Sequence, residues 1–231
     1  MGLFFKKKES ENVDLVEKVN LAKEEVKKVC LTKRPLMNLK AKVALVLDYS
    51  GSMSWLYSNG TVQRVVEQML PLAMNFDDDG TMECWLFHDG CKRLKDVSLK
   101  NLDGYIKRKT RGESMGGTNY SPVMREVINF YKGEKLPVYV IFITDGDNFD
   151  SDKPETTATI TEAAKKPIFW QFVGLGNSGF NYLEQLDDMT GRYVDNADFF
   201  SVNRAEDITY QDLLEEFPGW LSDAKVQEML R

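Results

Sequence analysis

The sequence predicts an α/β protein: a doubly wound, mainly parallel sheet with helices on both faces, one antiparallel edge strand and an added N-terminal helix. Three observations carry that expectation. Continuous apolar runs recur in "KVALVLD", "PVYVIFITD" and "PIFWQFVG", as in strands covered on both faces. Segments with helical spacing separate them. Two of the runs stop abruptly at an aspartate, Asp48 and Asp145. Alternating strands and helices imply parallel crossovers, and such sheets bind ligands beyond the carboxyl ends of their strands, where strand order reverses.

In chain order, residues 1–40 form a tail and an amphipathic helix, and residues 41–231 form the main domain. Val13, Val16, Val19, Val26 and Val29 recur mainly at three- and four-residue spacing, which sets a helix from about Glu9 to Cys30 before the break at Pro35. The preceding "FFKKK" reads as a solvated tail. Its peripheral contact with an anionic membrane would gain only about 1 kcal/mol per lysine. After the first strand, Val62, Val65, Val66, Met69, Ala73 and Phe76 mark a helix that Pro71 is expected to kink or divide. "TMECWLF" and "CKRLKDV" flank His88-Asp89-Gly90, a hairpin turn that supplies the antiparallel edge. Further helices are expected at Asn101 to Lys109, at Tyr120 to Tyr131 and near "NYLEQLDDM", with an edge strand at "RYVDN". The C-terminal stretch, Asp212 to Leu230, reads as helix around a break at Pro218-Gly219. Trp170 and Phe172 read as core, and Trp220 as an anchor for either the C-terminal helix or a partner.

Bulk properties narrow the function. A 231-residue chain with 42% hydrophobic and 29% charged residues suits one large globular domain. A net charge of −6 argues against a nucleic-acid partner, which selects a basic face. No apolar run approaches the roughly 20 residues of a transmembrane span. "MGLFFKKKES" lacks a secretory apolar core, and Lys6 breaks the myristoylation pattern. Cys30, Cys84 and Cys91 form no CxxC pair, as expected of free thiols in a reducing compartment, and the cytoplasm is the expected location.

Three loops at carboxyl ends of strands share one chemistry: "DYSGS", "GESMGGTNYS" and "ITDGDNFD". Asp48, Ser50, Ser52, Thr118 and Asp145 thereby supply two carboxylates and three hydroxyls toward one point. All are hard oxygen donors, which suit Mg²⁺, Mn²⁺ or Ca²⁺ rather than zinc or copper. Mg²⁺ keeps several waters, and an acidic group from outside can displace one. Gly116 and Gly117 permit close backbone approach, and Gly51 the tight turn between the serines. Taken alone, "DYSGS" reads first as a capped turn whose side chains satisfy loop N–H groups. Agreement between three separate strand ends favours the metal centre.

Asp-x-Ser-x-Ser at Asp48, Ser50 and Ser52, with Thr118 in "GGTN" and Asp145 in "TDG", resembles the metal-ion-dependent adhesion site of von Willebrand factor A domains. The resemblance runs from about Val43 to the end. More narrowly, "VALVLDYSGSM", "NFDDDG", "GGTNYSPVM", "VYVIFITDGDNFD", "PIFWQFVGLG" and "DNADFF" resemble the TerF-like branch of the bacterial tellurium-resistance proteins. The resemblance implies Ser50, Ser52 and Thr118 as direct ligands of a divalent cation, Mg²⁺ first and Mn²⁺ or Ca²⁺ next. It implies Asp48 and Asp145 acting directly or through water, and a protein partner whose Asp or Glu completes the coordination sphere. TerD-like proteins and a stress-response assembly are the partners it suggests, with a binding module rather than an enzyme as the outcome. The N-terminal helix departs from TerF-type chains, where a TerD-like domain can precede this one.

Rival readings are a metal-dependent hydrolase of phosphate esters and a nucleotide-binding regulator. No general base or cationic phosphate clamp stands beside the metal signature. Gly174, Gly176 and Gly179 imitate a dinucleotide fingerprint, with Asp195 about twenty residues on. "DGDNFDSD" fails as an EF-hand at Phe149, leaving Asp147 and Asp150 for loop solvation or outer-sphere contact with the metal. His88, the single histidine, is expected to lie away from the metal loops.

Overall fold

Apolar alternation and strand length build a sheet of six strands: β1 (Lys42–Asp48), β2 (Glu83–Phe87), β3 (Cys91–Arg93), β4 (Val138–Thr144), β5 (Ile168–Leu175) and β6 (Ala197–Val202). The computed structural model describes the backbone of residues 2–231 and the side chains of residues 13–231. Spatial order is β3-β2-β1-β4-β5-β6, parallel except for β3, which pairs antiparallel with β2. Strand order reverses between β1 and β4, whose register aligns Leu47 with Ile143. Asp48 and Asp145 therefore leave adjacent strands at the same edge of the sheet, at the expected topological switch point.

Among the described residues ten α-helices accompany the sheet: α1 (Gly2–Thr32), α2 (Ser54–Ser58), α3 (Thr61–Phe76), α4 (Tyr105–Lys109), α5 (Ser121–Phe130), α6 (Lys153–Ala163), α7 (Asn181–Asp187), α8 (Tyr210–Leu213), α9 (Phe217–Ser222) and α10 (Ala224–Met229). Strand side chains alternate between two cores. Val43, Leu45 and Leu47 of β1 face α3 and the C-terminal helices, meeting Val65, Met69, Phe217 and Trp220. Ala44 and Val46 face α5, α6 and α7, meeting Val127, Ile160 and Leu183. Every residue of β4 and β5 is buried, which explains their unbroken apolar runs. Full burial of each Leu, Ile or Phe stabilises by about 1.5–3 kcal/mol, so the core stands independently of the loops at its edge.

Several expectations are corrected. α3 runs unbroken through Pro71, because buried Met69, Leu70, Leu72 and Ala73 on either side outweigh one missing hydrogen bond. The edge strand is Ala197–Val202 rather than "RYVDN". Pairing begins where the Asn196 carbonyl accepts from Trp170, whereas Arg192 folds inward onto the Asp187 carbonyl. α6 forms in a threonine-rich segment whose weak helix propensity gave no signal. At the C-terminus Pro218 sits in the first turn of α9, where a proline N–H is not needed, and the break falls at Asp223, whose carboxylate caps α10 through Lys225 N.

α1 extends back through the segment expected to be a solvated tail, and the side chains of "FFKKK" lie outside those described. Val19, Val26 and Cys30 bury its inner face against the α3 side of the domain. Among the described residues no helix is long and apolar enough to cross a membrane. Trp220 is core, stacked on Phe217 and tilted against Phe169. The three cysteines are free; Cys30 and Cys84 are buried, and burial pushes their thiols up to about 11 and about 12.

Candidate metal centre

β1 ends in a carboxylate that is wholly buried. Asp48 is held from both sides: Oδ1 accepts from Ser50 N at 2.7 Å, and Oδ2 accepts from Thr144 Oγ1 at 2.7 Å. The first bond closes an Asx turn that reverses the chain. Tyr57 of α2 donates its hydroxyl to the Asp48 carbonyl at 2.8 Å and packs edge-on against Tyr49. The loop is thus fixed before any ligand is considered.

The turn sets the serines side by side. Ser50 Oγ and Ser52 Oγ are 3.0 Å apart, and Ser52 Oγ donates to Asp145 Oδ1 at 2.8 Å. Two distant loops therefore meet in one chain of oxygens. The third loop joins through its backbone. Ser50 and Gly116 form a single parallel β-bridge, with Gly51 N donating to the Gly116 carbonyl at 3.0 Å. Thr118 follows two residues on; Phe149 N donates to its carbonyl at 3.0 Å, and its hydroxyl stands outside the Ser–Ser–Asp chain. Asp48, Ser50, Ser52 and Asp145 are joined by side chains or short turns, and Thr118 by the strand-like pairing of its loop.

Burial pushes the Asp48 carboxyl up to about 6, against hydrogen bonds from Ser50 and Thr144 and with a further push from the Asp145 charge. Burial also raises Asp145, while its bond from Ser52 pulls it down. Burial is the leading cause for both carboxyls, and the charge of Asp145 adds only to Asp48. Among the described residues no three His, Cys, Asp or Glu side chains gather as a metal site, so a cation held here draws on hydroxyl oxygens and water. That donor set, all oxygen and two carboxylates deep, fits a hard divalent ion.

The hairpin between β2 and β3 lies against this centre, which corrects the expectation for His88. The carboxyl end of β2 is next to that of β1, and Asn119 N donates to the His88 carbonyl at 3.0 Å. The His88 imidazole serves its own turn, Nδ1 accepting from Gly90 N at 3.4 Å. Asp147 accepts from Tyr182 N of α7 at 3.1 Å, and Asp150 pairs with Lys153 at 2.8 Å, so both acids have partners outside the Ser–Ser–Asp chain. The dinucleotide pattern fails on geometry: Gly174 makes room for the Phe180 ring, and Asp195 precedes β6, at the opposite edge of the sheet from the glycine loop.

Sequence reasoning missed Thr144, Asp89 and Asp152. Thr144 was visible as a lone polar residue ending an apolar strand. Asp152 is a buried hub that accepts from Tyr120 N, Ser121 Oγ, Asn148 Nδ2 and Thr156 Oγ1, tying the Thr118 loop to the Asp145 loop. Burial pushes its carboxyl up, but the bonds from Ser121, Asn148 and Thr156 outweigh burial and hold it below the usual range.

Known proteins share this architecture. The chain is 40% identical over 224 residues to the uncharacterized protein YcbR of Bacillus subtilis (strain 168), covering 92% of this chain and 90% of that one. A solved structure of proximal thread matrix protein 1 from the mussel byssus, with a zinc-occupied MIDAS motif, superposes with TM-score 0.53 at 19% identity, over 78% of this chain and 46% of that one. The manganese-loaded Plasmodium vivax TRAP protein gives TM-score 0.52 at 17% identity, over 71% and 69%. At such identities the structural matches show the fold, and the chain spans under half the length of the mussel protein. Residues 40–230 match the family described as the vWA found in the TerF C terminus. With that match and the relationship to YcbR, the chain belongs to the TerF-like family of von Willebrand factor A domains.

Proposed function

We propose that this protein is a metal-dependent protein-binding module and not an enzyme, acting in a bacterial tellurite- or stress-resistance assembly in the cytoplasm. The observation that carries the reading is the chain of oxygens from Ser50 through Ser52 to Asp145 at the switch point of the sheet. Ser50, Ser52, Thr118, Asp48 and Asp145 would hold the ion, with Mg²⁺ as the favoured cation. The bound cation would offer a partner's Asp or Glu an open coordination position. The protein's own residues do the rest: Thr144 and the Ser50 amide orient Asp48 from behind, and the buried Asp152 hub fixes the two outer loops to each other. Neighbours of the same fold, one with a zinc-occupied MIDAS motif and one manganese-loaded, support the reading by analogy. The TerF kinship makes TerD-like proteins the first partners to try.

The test is a titration of a purified TerD-like protein with and without EDTA. Cation and partner must strengthen each other's binding by one shared factor, typically about 5- to 150-fold. Asp145→Ala and EDTA should weaken binding alike, and together no further. Equal binding of the metal-free and metal-loaded protein would falsify the adhesion mechanism. Metal-dependent turnover of a phosphoester, lost in Asp48→Asn, would reverse the assignment to a non-enzyme.

A further inference from the structure

We propose that Asp89, at the tip of the β2–β3 hairpin, is a positioning residue of the metal centre, holding the loop that presents Thr118. The inference rests on the metal-binding reading and adds to it a residue from a fourth loop. Three consecutive residues of the Thr118 loop are clamped from outside. Gly117 N donates to Asp89 Oδ2 at 2.8 Å, the Thr118 carbonyl accepts from Phe149 N at 3.0 Å, and Asn119 N donates to the His88 carbonyl at 3.0 Å. The hairpin thus grips the residues on both sides of Thr118.

The fit is close enough to dictate the glycines. A Cβ on Gly116 would lie 2.3 Å from Asp89 Oδ2 and 2.9 Å from His88 Nδ1. On Gly117 it would lie 2.5 Å from Asp89 Oδ1 and 2.4 Å from the Phe149 ring. Both glycines therefore make room for the Asp89 carboxylate and the Phe149 ring, and "GGTN" is read together with "HDG". Asp89 is otherwise solvent-facing, its side chain 60% exposed. A carboxylate accepting from a backbone N–H makes a charge-assisted bond, about twice as strong as a neutral one. Because the Thr118 loop also bridges Ser50, displacement of Gly117 would move Thr118 relative to both serines.

The experiment compares Mn²⁺ affinity by calorimetry in the full chain and in Asp89→Ala, Asp89→Asn, Thr118→Val and the Asp89→Ala/Thr118→Val pair, with thermal melts for each. Asp89→Ala should weaken Mn²⁺ by about tenfold, in the range seen when outer partners of metal ligands are lost. Asp89→Asn keeps an acceptor for Gly117 N and should restore affinity to within about threefold of the parent. The double variant should bind little worse than Thr118→Val alone, because both changes act through one ligand. Unchanged affinity in Asp89→Ala overturns the proposal. So does equal loss in Asp89→Ala and Asp89→Asn with full additivity, which would make Asp89 a long-range charge. If the parent protein takes up no Mn²⁺, the metal-binding reading itself fails. Amide exchange at Gly117 and Asn119 then still decides the clasp: faster exchange in Asp89→Ala supports it, and unchanged exchange overturns it.

Discussion

Two acidic regions lie at opposite edges of the same sheet. At the carboxyl edge, Asp48 and Asp145 meet Ser50 and Ser52, and the Thr118 loop is tied alongside through its backbone. At the amino ends of β5 and β6, Asp187, Asp195, Asp198, Glu216 and Asp223 surround a cavity of about 340 Å³ walled by Phe169 and Trp220. The second region has more carboxylates, yet the first is the one proposed to hold a cation. Its acids are not interleaved with hydroxyls, and burial raises two of them, Asp187 and Asp198. Burial, then the charges of Asp198, Asp195 and Asp188, push Asp187 up to about 7. Of these carboxylates Arg192 pairs with that of Asp195, at 2.5 Å, and from Asp187 it takes only the main-chain carbonyl, at 2.8 Å. Arrangement, more than acid count, makes a cation centre.

The largest effect should separate the two regions outright. Asp145→Ala should weaken Mg²⁺ and Mn²⁺ binding by at least about a hundredfold, beyond what outer partners of a metal typically carry. Asp187→Asn and Asp223→Asn should leave calorimetric titrations unchanged; equal losses at both edges would erase the contrast. Next in size is Thr144→Val, which strips Asp48 Oδ2 of its donor inside the core. An unpaired buried acceptor costs about 1–3 kcal/mol, so urea midpoints should fall accordingly. Thr118→Val should sharpen the comparison differently. It removes one oxygen from a half-buried loop, so cation affinity should drop about tenfold while stability changes by less than about 0.5 kcal/mol. Unchanged affinity would remove Thr118 from the centre.

The smallest effect belongs to the amino edge and is one of pH. Asp187 in the folded chain titrates near 7, above its ordinary value of 3.8, so folding favours its protonated form. Stability should therefore rise as pH falls through 7 toward 5 and be lost as pH rises again. Melting temperatures across this range, recorded in EDTA, should show the trend, and Asp187→Asn should flatten it. Because the side chain is half-buried, water screens much of the effect. An unchanged slope in the variant would assign the trend to other groups.

Which features were legible follows from what a sequence encodes. Asp48, Ser50 and Ser52 were readable because one tight turn fixes their spacing along the chain. Asp145 was readable because a buried strand that stops at an acid has few reasons to do so. Asp89 and Asp152 were not, since their contacts depend on which hairpin and which loop lie alongside, and lateral neighbours leave no local spacing. The same holds for β6. "RYVDN" alternates as well as "ADFFSV" does, and only pairing with Trp170 decides between them. His88 was misplaced for a related reason: a hairpin looks remote along the chain, yet β2 pairs directly with β1.

The Ser50–Gly116 bridge bears on speed. Main-chain bonds from Gly51 to Gly116 and from Gly116 to Tyr49 join the two ligand loops and need no ion. On the proposed metal-binding reading, loops joined in this way should need no ordering step, so the association rate should be set by how quickly the hexahydrated ion sheds its own water. Mg²⁺ does so reluctantly. In stopped-flow mixing, Mn²⁺ should load well ahead of Mg²⁺ even where their equilibrium affinities match. The order in which ions arrive would then be decided by solvent exchange, and the order in which they stay by the oxygens around them.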